Sequence, residues 1–114
     1  MPGRIETYTH SDSQTSNKGA AIVQMSCQTD FAAKTVGFIA FANKIAKMAY
    51  AVSAGVSQPN DVAYISWDDI VKDFPDLAND KAVLEGELKE KIEMKHAVVL
   101  AVTPHWTIDT PEEA

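Results

Sequence analysis

The sequence predicts an α+β fold: a small three-stranded antiparallel sheet with helices packed on one face. Three observations carry this. Strand-like segments open the chain at Gly3 to His10 and Ala20 to Cys27. Apolar residues at three- and four-residue spacing then mark a helix from about Thr35 to Ser53 and another ending at about Glu93. A nearly continuous apolar run, Ala97-Val98-Val99-Leu100-Ala101-Val102, returns the chain to a strand. The expected order is β-β-α-α-α-β, with the last strand rejoining an N-terminal hairpin.

The elements follow in order. Gly3 to His10 carries the strand formers Ile5, Thr7, Tyr8 and Thr9 in imperfect alternation. Ser11 to Lys18 is entirely polar and meets Gly19, so it reads as a loop longer than the tightest hairpins. In the second strand Ala21, Val23, Met25 and Cys27 share one face; Ile22, Gln24 and Ser26 share the other. After a turn at Gln28-Thr29-Asp30, Thr29 or Asp30 can cap a short helical turn through Phe31 to Lys34. A longer helix follows from about Thr35 to Ser53. Phe38, Phe41, Ala42, Ile45, Met48, Ala49 and Val52 form its stripe, and Gly55 is its stop.

Val56 to Tyr64, with Pro59, reads as a connector. Ser66 can cap a short helix that starts Trp67-Asp68-Asp69 and ends at Pro75. Asn79 or Asp80 is the expected cap of a last helix running to about Glu93. Its stripe is Val83, Leu84, Leu88 and Ile92, and Glu85/Lys89 and Glu87/Lys91 are spaced for exposed ion pairs. The strand at His96 to Val102 is apolar enough to be buried on both faces, or on one face against a partner chain. Residues 1–102 thus form one core unit, and residues 103–114 form a tail anchored by Trp106.

Composition narrows the function classes. A chain of 114 residues with 46% hydrophobic residues is one domain. Such a domain buries roughly two-thirds of its unfolded surface and needs no metal or disulfide to fold. The lone Cys27 excludes an internal disulfide and fits a reducing compartment. No apolar run reaches the ~20 residues of a membrane span, and the N-terminus has no secretory core, so a cytoplasmic protein is expected. Net charge is −6, with +2 on residues 1–54 and −8 on residues 55–114. No basic stripe marks a nucleic-acid binder. The acidic half is either a solvated face or a means of steering toward a basic surface.

Catalytic patterns are wanting. There is no glycine-rich phosphate loop, and His10, His96 and His105 are not at metal-ligand spacing. Cys27 could be a nucleophile beside His96 or His10, but a buried strand-end cysteine is the simpler reading. Trp67 and Trp106 serve either as partner anchors or as core and lid packing.

The junction after the second strand is the most informative segment. A strand ends at Cys27, and Asp30 and Phe31 follow at the start of a helix. The helix N-terminus favours a carboxylate at Asp30. One reading makes this a rigid display of acid and ring. The other makes it a capping acid followed by a core phenylalanine. Spacing alone does not separate them.

The stretch Asn17-Lys18-Gly19-Ala20-Ala21-Ile22-Val23-Gln24-Met25-Ser26-Cys27-Gln28-Thr29-Asp30-Phe31-Ala32-Ala33-Lys34 resembles the signature of the elongation factor Ts family. That pattern is a glycine, an apolar strand, then Cys-Gln/Glu-Thr-Asp-Phe-Val-Ala-Lys/Arg. The likeness continues through Gly37 to Ile45, resumes weakly from Leu84 to Val102, and includes Gly3-Arg4-Ile5 with Tyr8 and His10. It covers roughly residues 3–102. Departures are Ala32 for the usual valine, Thr35 for a common asparagine, and Gln24-Met25-Ser26 for Glu-Val-Asn.

The resemblance implies a core-subdomain fold and elongation factor Tu as partner. It assigns partner contact to Gln28, Thr29, Asp30, Phe31 and Lys34. Phe31 would wedge between apolar side chains beside the magnesium site of Tu, and Asp30 would disturb the same region, promoting GDP release. No cofactor is implied. Against the usual family plan, the chain has room for one core subdomain and lacks an N-terminal helical module. That makes a Tu-binding module without exchange activity the alternative, and a homodimer through Ala97 to Val102 or the hairpin an expectation. A scaffold with an unrelated partner is a third reading; an enzyme ranks last.

Overall fold

The computed structural model describes residues 2–11, 13, 16–53 and 62–101. Strand β1 (Gly3–His10) and strand β2 (Gly19–Ser26) form the antiparallel hairpin. A four-residue helix α1 (Asp30–Ala33) leads into the long helix α2 (Val36–Val52). Strand β3 (Val62–Tyr64), helix α3 (Trp67–Asp73), helix α4 (Asp76–Leu88) and strand β4 (Glu93–Ala101) complete the order. Gly55, Pro59, His105, Trp106 and the tail at 103–114 lie outside the described residues.

The sheet has four strands rather than three, in the order β1-β2-β4-β3, every neighbour antiparallel. The extra strand is β3, in the segment read as connector. Three residues are too few to display a period. What makes Val62-Ala63-Tyr64 a strand is its partner: Ala63 sits opposite Val99 and is fully buried. β4 is therefore an inner strand over Val98 to Leu100, where β3 closes the edge expected to be free.

One face of the sheet builds the core. Ala21, Val23 and Met25 of β2, and Ala97 and Val99 of β4, point toward α2 and are almost completely buried. α2 answers with the predicted stripe: Phe38, Ala42, Ile45 and Ala49 are fully buried and Phe41 and Val52 nearly so. Burying each large side chain contributes roughly 1.5–3 kcal/mol. Gly19 is required by a close approach. A Cβ there would lie 2.6 Å from the Tyr50 hydroxyl and 3.0 Å from the Leu100 carbonyl oxygen. Trp67 is half-buried and meets Phe41 edge-on at 6.5 Å, which is core packing.

The caps expected for the first and third helices hold, with Thr29 rather than Asp30 capping α1, and Thr35, expected only as the start of the long helix, caps α2. Thr29 Oγ1 accepts from the Ala32 amide at 3.2 Å, and Thr35 Oγ1 accepts from the Phe38 amide at 3.2 Å. Ser66 and Asp69 form a reciprocal capping box. The last helix differs. α4 starts at Asp76 on Pro75, whose fixed φ suits a helix start and whose missing N–H costs nothing there. Asp80 lies inside the helix, where its carboxylate accepts from Lys44 Nζ at 3.0 Å across to α2.

α4 also ends early, at Leu88 rather than Glu93, because Lys89 is left-handed (φ 58°). Glu85 consequently pairs with Lys81, not Lys89. Its carboxylate also accepts from the Ile92 amide at 2.8 Å, which leads the chain into β4 three residues before His96.

Candidate functional site

The junction between β2 and α2 is built by chain geometry on both sides. Cys27 closes β2: its amide donates to the Pro2 carbonyl at 2.9 Å and its side chain is fully buried. The thiol donates to the Thr29 carbonyl at 3.2 Å. Burial pushes its pKa up, and the negative charges of Glu90 and Asp30 add to that. A protonated, inaccessible sulfur is a packing group, so the nucleophile reading of Cys27 fails.

Beyond Cys27 the backbone leaves the core. Gln28, Thr29, Asp30, Phe31 and Lys34 are all exposed, whereas Ala32 and Ala33 turn inward and are buried. The structure thus brings the five sequence-predicted residues to one tip. Thr29 is extended (φ −134°, ψ 152°) and caps α1. Asp30 and Phe31 are the first two helical residues, and Lys34 is the C-cap. Phe31 decides between the two readings of the junction. It is 79% exposed, so it is not a core phenylalanine.

The tip is braced from three directions. Arg4 of β1 reaches the Ala33 carbonyl at 3.3 Å while its guanidinium pairs with Glu6 at 2.8 Å. Thr35 donates its hydroxyl to the Ala32 carbonyl at 2.8 Å, tying α1 to α2. The third brace comes from the turn after α4. Glu90 Oε1 accepts from the Gln28 amide at 2.9 Å and the Thr29 amide at 3.1 Å, and Glu90 Oε2 accepts from the Thr29 hydroxyl. In return Gln28 Oε1 accepts from the Lys91 amide at 3.0 Å. The Thr29 hydroxyl and the two amides hold the Glu90 carboxyl below the usual carboxylate range.

Sequence reasoning missed Glu90. It lies 61 residues from Thr29 in a Lys-Glu-Lys run that reads as solvated surface, and no local signal distinguishes it. It also passed over Val36, which is 85% exposed at the start of α2. Val36 did carry a signal: it is an apolar residue outside the stripe of its own helix.

The tip offers an exposed ring, a carboxylate and an ammonium group on a braced backbone. It has no nucleophile and no paired acid and base. Among the described residues no three metal-ligating side chains cluster, and no helix is long and apolar enough to cross a membrane. The arrangement suits non-covalent insertion into another surface. Burying the Phe31 ring there would contribute roughly 1.5–3 kcal/mol.

No protein-family model matches the chain. Partial matches to relatives do occur. Elongation factor Ts of Clostridium botulinum (strain Eklund 17B / Type B) is 44% identical over 52 residues, which is 46% of this chain and 16% of that protein. Elongation factor Ts of Vibrio atlanticus (strain LGP32) is 56% identical over 32 residues, 28% of this chain and 11% of that protein. Elongation factor Ts of Vibrio cholerae serotype O1 (strain ATCC 39541 / Classical Ogawa 395 / O395) is 49% identical over 39 residues, 34% of this chain and 14% of that protein. Part of the chain is therefore related to elongation factor Ts, over stretches that span 16% or less of these relatives' length.

Proposed function

We propose that this protein binds elongation factor Tu in the cytoplasm through the tip and promotes release of its GDP. The observation that carries the reading is Phe31: a ring 79% exposed on a backbone braced from three sides. An isolated monomer gains nothing from displaying that surface, whereas a binding partner does. Phe31 is the wedge, Asp30 the charged contact beside it, and Gln28, Thr29 and Lys34 the rim. Val36 extends the apolar footprint. The mechanism is thermodynamic linkage. The tip favours a Tu conformation that holds nucleotide poorly, so factor and nucleotide weaken each other's binding reciprocally.

The test is release of a fluorescent GDP from purified Tu, together with direct binding. Acceleration by this protein that is lost in Asp30→Ala and Phe31→Ala supports the reading. No acceleration with the unaltered protein defeats it. Because the matched stretches cover at most 16% of the relatives' length, docking and exchange are separable, and docking without exchange is the second reading. Binding with flat GDP release selects it.

We further propose that two copies associate. The open face of the sheet supports this: Ile5, Ile22, Tyr64 and Leu100 lie on it and are 43–60% exposed. Face-to-face packing replaces strand pairing through β4, whose edge is closed by β3 at Val98 to Leu100.

A further inference from the structure

We infer that Glu90 is a positioning residue: its carboxylate latches the tip in its displayed form, and partner affinity depends on it without contact. The inference rests on the proposed role of the tip and adds the residue that orders it.

Two independent features point the same way. The first is the latch. A single carboxylate engages two consecutive amides and a hydroxyl of Gln28 and Thr29, the residues on which Asp30 and Phe31 are mounted. The Lys91 amide fixes the other side through the Gln28 side chain. Every bond crosses between segments more than 60 residues apart. The latch therefore couples the α4–β4 turn to the tip and does not merely close a local turn.

The second feature is the backbone that aims it. Lys89 has φ 58° and ψ 38°, a conformation that costs a side-chain-bearing residue energy and that glycine would adopt freely. The strain is retained at the residue directly before Glu90. A left-handed residue at this point turns the chain sharply, so that Glu90 leaves the helix and meets Gln28 and Thr29 beyond the end of β2.

The consequence follows from population arithmetic. A partner binds the displayed conformation, so apparent affinity falls by the fraction of molecules that hold it. If loss of the latch leaves the tip displayed about one-tenth of the time, affinity falls about tenfold. Chemistry at the partner surface is unchanged, because Asp30 and Phe31 are still present.

The experiment uses the full chain with Glu90→Ala and Glu90→Gln. Hydrogen exchange of the Gln28 and Thr29 amides is read in the free protein, and affinity for GDP-bound Tu is read together with its association and dissociation rates. Glu90→Ala is expected to speed exchange at both amides and to weaken binding about tenfold. Glu90→Gln keeps a carbonyl acceptor and should restore much of both. The affinity loss should fall on the association rate and leave dissociation unchanged, because the bound form is the displayed form.

Unchanged amide exchange in Glu90→Ala overturns the latch. So does a Glu90→Ala affinity loss carried by faster dissociation, which would make Glu90 a direct contact. If the unaltered protein does not bind Tu, the proposed partner fails, while the exchange measurement still decides whether the latch exists.

Discussion

At the scale of single residues, the tip separates stability from binding. Phe31 buries little in the chain itself, so Phe31→Ala should change stability by no more than about 0.5 kcal/mol in a denaturant melt. The same change should weaken Tu binding more than tenfold, the size expected for a central aromatic anchor. A loss of both together would mean that the ring is structural. Glu90 adds a pH dependence. Its carboxyl is lowered in the folded state, first by the Thr29 hydroxyl and then by the amides of Gln28 and Thr29. The sign follows: its contribution is full above the ordinary glutamate range and is lost as pH falls through the depressed value. Protection of the Gln28 and Thr29 amides should hold at neutral pH and fade in acid. Glu85, lowered chiefly by the Ile92 amide, should release the start of β4 over a similar acidic window.

At the scale of elements, the α4–β4 turn is the informative unit. The expected exposed ion pairs of α4 presuppose that the helix continues to Glu93, and it stops at Leu88. Lys89 takes the left-handed residue's place where glycine is usual. Lys89→Gly should remove that strain at some cost in chain entropy, for a net gain of up to about 1 kcal/mol. A thermal melt reads it directly. Lys89→Val should do the reverse, since a branched side chain tolerates φ above zero poorly. The opposite end of α4 shows the same lesson. Asn79 and Asp80 are cap-type residues, yet Pro75 starts the helix, and Asp80 serves the α2 contact through Lys44.

At the scale of the whole molecule, the sheet has one covered face and one open face. Thr7, Ile22, Val98 and Tyr64 run across the open side in one register row, Thr9, Ala20, Leu100 and Val62 in the next, and Ile5, Gln24 and His96 in a third. A contiguous apolar patch of this kind on an open sheet face marks an interaction surface. Light scattering at micromolar concentration should therefore give about twice the 12.4 kDa mass of the chain. Ile22→Lys with Leu100→Lys should return it to a monomer without unfolding, because neither side chain is in the core. A monomer from the unaltered protein would end the dimer proposal.

The sequence by itself determined the α+β class, the hairpin, the stripe of α2, the cap at Ser66, a cap at Thr29 or Asp30, and the position of the tip. These are legible because each depends on a local period or a local hydrogen bond. Only the tertiary structure decided that Phe31 faces outward, since a phenylalanine after a capping acid fits either a core or a surface. Only it revealed β3, three residues held by pairing with β4 and by burial of Ala63. The brace from Glu90 was likewise beyond the sequence. A contact spanning 61 residues leaves no mark on its neighbours, and a carboxylate between two lysines reads the same whether it is solvated or latched to a backbone.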